Sequence, residues 1–240
     1  MRKIDSRRSG ILRVLAVAGL LLGGHDPALG ADKGSGTSAA FAVATVYLEQ
    51  NATDGDAEVV FEVTGGKEGL AKLTVAAPGG RTVIDFAAPD ASASLGIRTF
   101  RFETPEPRDV KSLTSAYPEG VYTFAGVTAA GGKLHGKATL SHTLPAPASF
   151  LRPTVNARGV EARDLRITWS RVENAAAYIV KIEQRKLGVN LTSTLPASVT
   201  AFGVPAGLLR PGMEYKVAIG TVSGRGNISF VETTFATAGK

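Results

Sequence analysis

The 240-residue chain contains no cysteine. That absence excludes disulfide staples, thiolate metal ligands, a cysteine nucleophile and a thioether-linked lipid anchor, so the fold must hold by burial alone. Histidine is scarce as well: beyond the N-terminal segment only His135 and His142 occur. On one strand their odd separation would put them on opposite faces, which makes a poor metal pair. No G-x-S-x-G nucleophile elbow is present. Gly131-Gly132-Lys133-Leu134 has the outline of a phosphate loop. It lacks the required glycine at position 127 and carries leucine where a magnesium-binding Ser or Thr belongs, so it reads as a hairpin turn.

Long apolar runs are missing too. Val14–Leu22 (VLAVAGLLL) is too short to cross a hydrocarbon core of about 30 Å. It follows Arg2, Lys3, Arg7, Arg8 and Arg13 and precedes the small residues Ala28, Gly30 and Ala31. This is the pattern of a secretory signal peptide over residues 1–31, cleaved after Gly30 or Ala31. Ser6–Leu12 (SRRSGIL) resembles a twin-arginine signal, with Gly10 where phenylalanine is preferred, so folded and unfolded export both stay open. Removing residues 1–31 takes away five basic and two acidic residues. That leaves 22 Lys+Arg against 19 Asp+Glu, a net charge of +3. A nucleic-acid footprint would need a basic stripe, and only Glu183–Gly188 (EQRKLG) comes near one. The expected protein is exported, periplasmic or extracellular, without nucleic-acid partners and without a membrane span after processing.

What is present is β-pattern. After a flexible Gly/Ser tether over residues 32–40, Ala57–Val63 (AEVVFEV) puts Val59, Phe61 and Val63 on one face and Glu58 and Glu62 on the other. Leu70–Phe86 reads as two strands around Pro78-Gly79-Gly80, and Val121–His142 as a hairpin over Ala130-Gly131-Gly132. Ile97–Glu103 supplies a further strand. Glu106–Gly120 reads as a short helix with Asp109 as N-cap, Val110 and Leu113 on one face, and Pro118 as its stop. Leu144–Pro153 (LPAPASFLRP) is a proline-rich connector that restrains but does not abolish relative motion. The expectation is all-β: two antiparallel β-sandwich, immunoglobulin-like domains, residues 41–146 and 147–240, joined by that linker.

In the second half, Trp169 ends one strand and Tyr178 opens the next. Leu209, Pro211, Gly212 and Tyr215 then precede the alternating Val217 and Ile219. Over residues 148–237 these spacings resemble a fibronectin type III module. The resemblance implies that Trp169 is the core tryptophan and that Leu209 and Tyr215 form a tyrosine corner, core residues and not a site. The first half carries Glu49–Glu58, Glu103–Pro107, Tyr117–Gly126 and Ser141–Pro145. These segments resemble, in that order, a group of uncharacterised exported bacterial β-domain proteins, and that resemblance implies no activity.

Candidate chemistry concentrates in Asn51–Glu58 (NATDGDAE). Asp54, Asp56 and Glu58 alternate after Asn51, and hard oxygen ligands of this kind suit calcium. The spacing is not that of an EF-hand, whose sixth and twelfth positions would fall on Val59 and Gly65. A sandwich-edge site would draw a ligand from Glu103 or Glu106. The other reading is a structural turn in which Asp54 caps its own backbone beside Gly55. A glycosidase pair could be drawn from Asp54, Asp56, Glu103 and Glu106, but nothing in the sequence marks these carboxylates as buried. The sequons at Asn51, Asn190 and Asn227 read as chance. Ser223–Asn227 (SGRGN) reads as a polar turn, because Asn227 stands where an adhesive Arg-Gly-Asp loop needs its carboxylate. Tyr117 and Phe150 are the candidate contact aromatics. The leading expectation is an exported, non-enzymatic protein that binds a protein or glycan. A calcium-stabilised surface module and a carbohydrate-active enzyme are its rivals.

Overall fold

The structure, a computed structural model, describes residues 38–89, 94–105, 107 and 109–239. The export signal, Glu106 and residues 32–37 of the tether lie outside the described residues. In the first half the strands are β1 (Ala39–Ala40), β2 (Val43–Asn51), β3 (Ala57–Thr64), β4 (Leu70–Ala76), β5 (Thr82–Ala87) and β6 (Thr99–Glu103). Helix α1 (Val110–Ala116) then leads to β7 (Gly120–Thr128) and β8 (Lys133–Leu140). The second half contains β9 (Phe150–Arg152), β10 (Ala157–Val160), β11 (Arg166–Trp169) and β12 (Ala175–Gln184). It continues with β13 (Val189–Pro196), β14 (Ala201–Gly203), β15 (Glu214–Ser223) and β16 (Ile228–Thr237). Ala39 and Ala40, placed in the tether by composition, instead pair with Leu134 and His135.

Two sandwiches result, each with its own core. In the first, the sheet β1-β8-β7-β4-β5 faces β2, β3 and β6. The odd positions of β3 (Val59, Phe61, Val63) meet Leu70, Leu73, Val75, Tyr122 and Phe124 there. In the second, β14-β11-β9 faces β13-β12-β15-β16 across Trp169, Tyr178, Val180, Ile182, Tyr215, Val217, Ile219 and Phe235. Trp169 packs edge-on against Tyr178, with ring centroids 5.5 Å apart. The Tyr215 hydroxyl accepts the Arg210 amide at 2.7 Å beside buried Leu209, the corner that the resemblance implied. Helix α1 starts where expected, with the Asp109 carboxylate accepting from Ser112 N at 2.7 Å. Leu113 is buried but Val110 is exposed, because a helix of two turns packs through only one side chain here.

The halves are not joined by the linker alone. Strand β16 pairs in parallel with β2, Ile228 against Glu49 through Phe230 against Asn51. One sheet therefore runs β13-β12-β15-β16-β2-β3-β6 through both halves. The rest of the outer edge of β16 is covered by β10, paired at Ala157–Phe235 and Val160–Thr237. The segment that leads from β8 into the connector is stitched to the start of the same strand. Asn227 Nδ2 donates to Ser141 O at 2.7 Å and Thr143 O at 2.9 Å, and Ser229 Oγ donates to Pro145 O at 2.7 Å. Asn227 Oδ1 accepts from Leu48 N at 2.9 Å. Asn227, read from sequence as part of a polar turn, is 1% exposed. A planar amide with two donors and one acceptor fits two carbonyls and one N–H, which no other side chain of that size matches.

Candidate functional site

Strand alternation predicts that the face of β3 carrying Glu58 and Glu62 is solvated. Instead Glu58 is 6% exposed and Val60, between the two, is fully buried. The cause is the β16–β2 seam. It brings Tyr47, Val60, Ile179, Ala218, Ile228 and Phe230 into a third apolar cluster on the opposite side of the shared sheet from the two main cores. Gly220, opposite Phe230 in register, makes room for the ring; a Cβ there would lie 2.5 Å from Phe230 Cε1. Lys181 Nζ sits over the same ring, 3.6 Å from its centroid.

A charge network spreads across this cluster from β6 to β12. Arg101 Nη1 donates to the Tyr47 hydroxyl and to Glu62 Oε1, each at 2.7 Å, and Tyr47 Oη donates to Glu62 at 3.1 Å. Arg101 Nε meets Glu103 at 3.1 Å, and its Nη2 lies 3.8 Å from Glu49. On the other side of the seam Lys181 reaches over β15 and β16 to within 4.0 Å of Glu49. Lys216 pairs with Glu232 at 2.5 Å. Five carboxyls (Glu49, Glu58, Glu62, Glu103, Glu232) thus face three cations. Glu58 stands directly opposite Glu49 in register, and like charges so placed repel. Among the described residues Glu58 has no ion pair. Burial, then Glu49 and Glu103, push its carboxyl up to about 7.

Burial dominates the Glu49–Lys181 pair as well, raising the glutamate and lowering the lysine, with their mutual attraction a partial offset. Burial opposes the Arg101 charge, but Tyr47, Glu49 and Glu62 outweigh it and raise its pKa. Tyr47 is raised by burial and then by Glu62, so its hydroxyl stays protonated. Each large apolar side chain buried in the seam contributes roughly 1.5–3 kcal/mol. Half-buried ion pairs net close to zero after desolvation. The apolar patch therefore holds the seam, and the charges set its geometry.

The segment Asn51–Glu58 belongs to this seam. Asn51–Asp56 is the β2–β3 turn, with Gly55 at φ +87°, a backbone region that suits glycine. Asp54 Oδ1 accepts from Asp56 N at 3.2 Å and its Oδ2 from Asn51 Nδ2 at 3.0 Å, the self-capped turn of the sequence reading. The turn also hooks onto β16. Ala52 N donates to Phe230 O at 2.8 Å, Thr53 Oγ1 accepts from Glu232 N at 2.8 Å, and Asn51 Nδ2 reaches Glu232 Oε2 at 3.1 Å. Asp54 and Asp56 are exposed or half-buried at the turn, while Glu58 is buried on the shared sheet beside Glu49. Among the described residues, no three His, Asp or Glu side chains are grouped so as to hold a metal ion.

The other sequence candidates are dispersed. His135 Nδ1 bonds Ser38 Oγ at 2.8 Å, whereas His142, beyond the end of β8, bonds Tyr117 O at 2.8 Å. Tyr117 packs 6.0 Å from Phe61 against the first core, and Phe150 packs against the second. Neither is a free contact aromatic. Among the described residues the exposed large apolar side chains are instead Leu95, Ile97, Val110, Val121, Leu151 and Val155. Sequence reasoning missed Tyr47, Glu49, Arg101, Lys181 and Asn227. A usable signal existed in β12 (AAAYIVKIEQ) and β15 (EYKVAIGTVS), which are apolar at both odd and even positions. Strands of that kind are covered on both faces.

No protein-family model and no curated protein sequence matches the chain. Solved structures similar to it include fibronectin type III modules. The fibronectin(III)-like modules of Clostridium thermocellum CbhA align at 10% identity over 82% of this chain and 91% of theirs, with a TM-score of 0.34. A two-domain fibronectin type III segment of chicken tenascin aligns at 17% identity over 82% and 99%, with a TM-score of 0.30. The FN1–FN3 domains of chicken CNTN1 align at 14% identity over 82% and 67%, with a TM-score of 0.31. Among the described residues no helix is long and apolar enough to cross a membrane.

Proposed function

We propose that the chain is an exported, non-enzymatic binding protein whose two sandwiches present one continuous surface to a protein or glycan partner outside the cytoplasm. The observation that carries this reading is the β16–β2 pairing. A shared sheet, a third apolar cluster and the Asn227 clasp hold the loops and edges of both halves in one orientation. Pre-organisation of that kind lowers the entropy lost on binding. It also gives the charge network a structural task, since Arg101, Glu62 and Tyr47 tie β6, β3 and β2 together and Lys181 reaches Glu49 across the seam. The test is affinity capture from the bacterial envelope fraction and on a glycan array, using the intact protein and an Arg101→Met variant. Specific retention of one protein or glycan class supports the reading. Retention of nothing by the folded protein opposes it.

One observation favours the carbohydrate-active rival: a carboxyl raised to about 7 at Glu58, near Glu103. A general acid needs a carboxyl protonated near neutral pH. Glycan hydrolysis lost in both Glu58→Gln and Glu103→Gln, with the fold retained, would replace the binding reading with that one.

A further inference from the structure

The sheet shared by the two halves ends in two edges, β6 and β13, and they are built differently. Strand β6 is five residues long and carries Arg101 and Glu103. Strand β5, an edge of the five-stranded sheet, carries Asp85. Charged side chains on an edge discourage another strand from pairing there. Strand β13, Val189–Pro196 (VNLTSTLP), runs for eight residues without a charge. It pairs residue for residue with β12 from Ala177–Pro196 to Gln184–Val189 without a bulge. Among the described residues no strand lies on its outer side. Its burial alternates without a break: Val189, Leu191, Ser193 and Leu195 are half-buried, and Asn190, Thr192, Thr194 and Pro196 are exposed. Pro196 has no N–H to offer, but from Val189 to Leu195 this regular, uncharged edge presents unpaired backbone groups to an extended chain.

We infer that β13 is the contact through which two copies of this chain associate, edge to edge and antiparallel about a two-fold axis, so that the shared sheet continues from one copy into the next. The strand is complementary to itself. An axis through Ser193 sets Ser193 opposite Ser193, Leu191 opposite Leu195 and Thr192 opposite Thr194, each of the latter pairs occurring twice. Faces are preserved in this register, because paired residues differ by an even number and so share one side of the sheet. Apolar Leu191–Leu195 pairs lie on the core side and Thr192–Thr194 pairs on the solvent side, combinations that favour antiparallel pairing. No like charges meet anywhere along the strand. A two-fold contact needs a patch complementary to its own copy, and β13 meets that need without altering either core.

The absence of cysteine allows a direct test. Directly opposed residues of an antiparallel pair have Cα atoms about 4.5–5.5 Å apart, inside the disulfide range of about 4.4–6.8 Å. Ser193→Cys therefore gives a disulfide-linked dimer under mild oxidation, much faster than the control Thr82→Cys on the β5 edge. In parallel, sedimentation of the unaltered protein shows a concentration-dependent dimer. Thr192→Lys combined with Thr194→Lys, at exposed positions, shifts the species to monomer while the far-ultraviolet circular dichroism stays unchanged. The inference is overturned if the unaltered protein stays monomeric at millimolar concentration, including the case in which a strand of a different protein docks on β13. It is equally overturned if the dimer survives both lysines, or if Ser193→Cys links no faster than Thr82→Cys.

Discussion

Replacing Asn227 tests whether the two halves fold as one unit. The side chain makes three hydrogen bonds in a site 1% exposed: to Leu48 N in the first half, and to the Ser141 and Thr143 carbonyls between β8 and the connector. Asn227→Ala leaves one N–H and two carbonyls without their partner, and each such buried group costs about 1–3 kcal/mol. Partial relaxation of the connector toward water recovers some of this, so the expected loss is about 3–5 kcal/mol. For a chain of this size that lowers Tm by roughly 10 °C. Asn227→Asp separates geometry from size. The carboxylate still accepts from Leu48 N but sets negative charge against two carbonyl oxygens. Its deficit therefore exceeds that of alanine at pH 7 and shrinks as the pH falls toward 4, where the protonated acid regains one donor. Urea unfolding followed by Trp169 fluorescence, which reports on the second core alone, and by circular dichroism, which reports on both halves, measures the effect. Coincident transitions in the unaltered protein and separated ones in Asn227→Ala are expected. An alanine variant within about 0.5 kcal/mol of the parent, with coincident transitions, would falsify the clasp.

Glu58→Gln probes the seam through pH. The Glu58 carboxyl is raised from its ordinary value of 4.5 to about 7 by burial beside Glu49 and Glu103, with Arg101 and Lys181 as smaller opposing influences. The folded state thus holds this proton more tightly than the unfolded chain, and the stability it contributes is full below pH 4.5 and lost as the pH rises through 7. The Tm difference between variant and parent should grow in favour of glutamine across that window; a flat difference contradicts the assignment. Arg101→Met strips Glu62, Glu103 and Tyr47 of their shared partner and should destabilise by about 3–5 kcal/mol, the range for breaking a buried pair on one side. If Glu62→Gln added to Arg101→Met restores nothing, the uncompensated carboxylate is not the source of the loss. Calcium added from chelator to millimolar levels should leave Tm unchanged, since Asp54 is already bonded to Asn51 and Asp56; a rise of several degrees would revive the calcium reading.

Local pattern carried much of the architecture. Alternation at Val59, Phe61 and Val63, the Asp109 cap, the Pro-Gly-Gly and Ala-Gly-Gly turns, and the Trp169 and Tyr215 spacings are legible because they depend on neighbours a few residues away. They report which face of a strand is apolar and where the chain reverses. Tertiary structure alone decided what lies against the other face. The pairing of β2 with β16 joins residues about 180 positions apart, and no local period encodes it. Only that pairing turns Glu58 from a solvated strand residue into a buried carboxyl, and Asn227 from a loop residue into a clasp. It also makes the Asn51–Asp56 turn a hook between two sandwiches. Burial of a polar residue depends on the distant strands that cover it, so its role appears once those strands are in place.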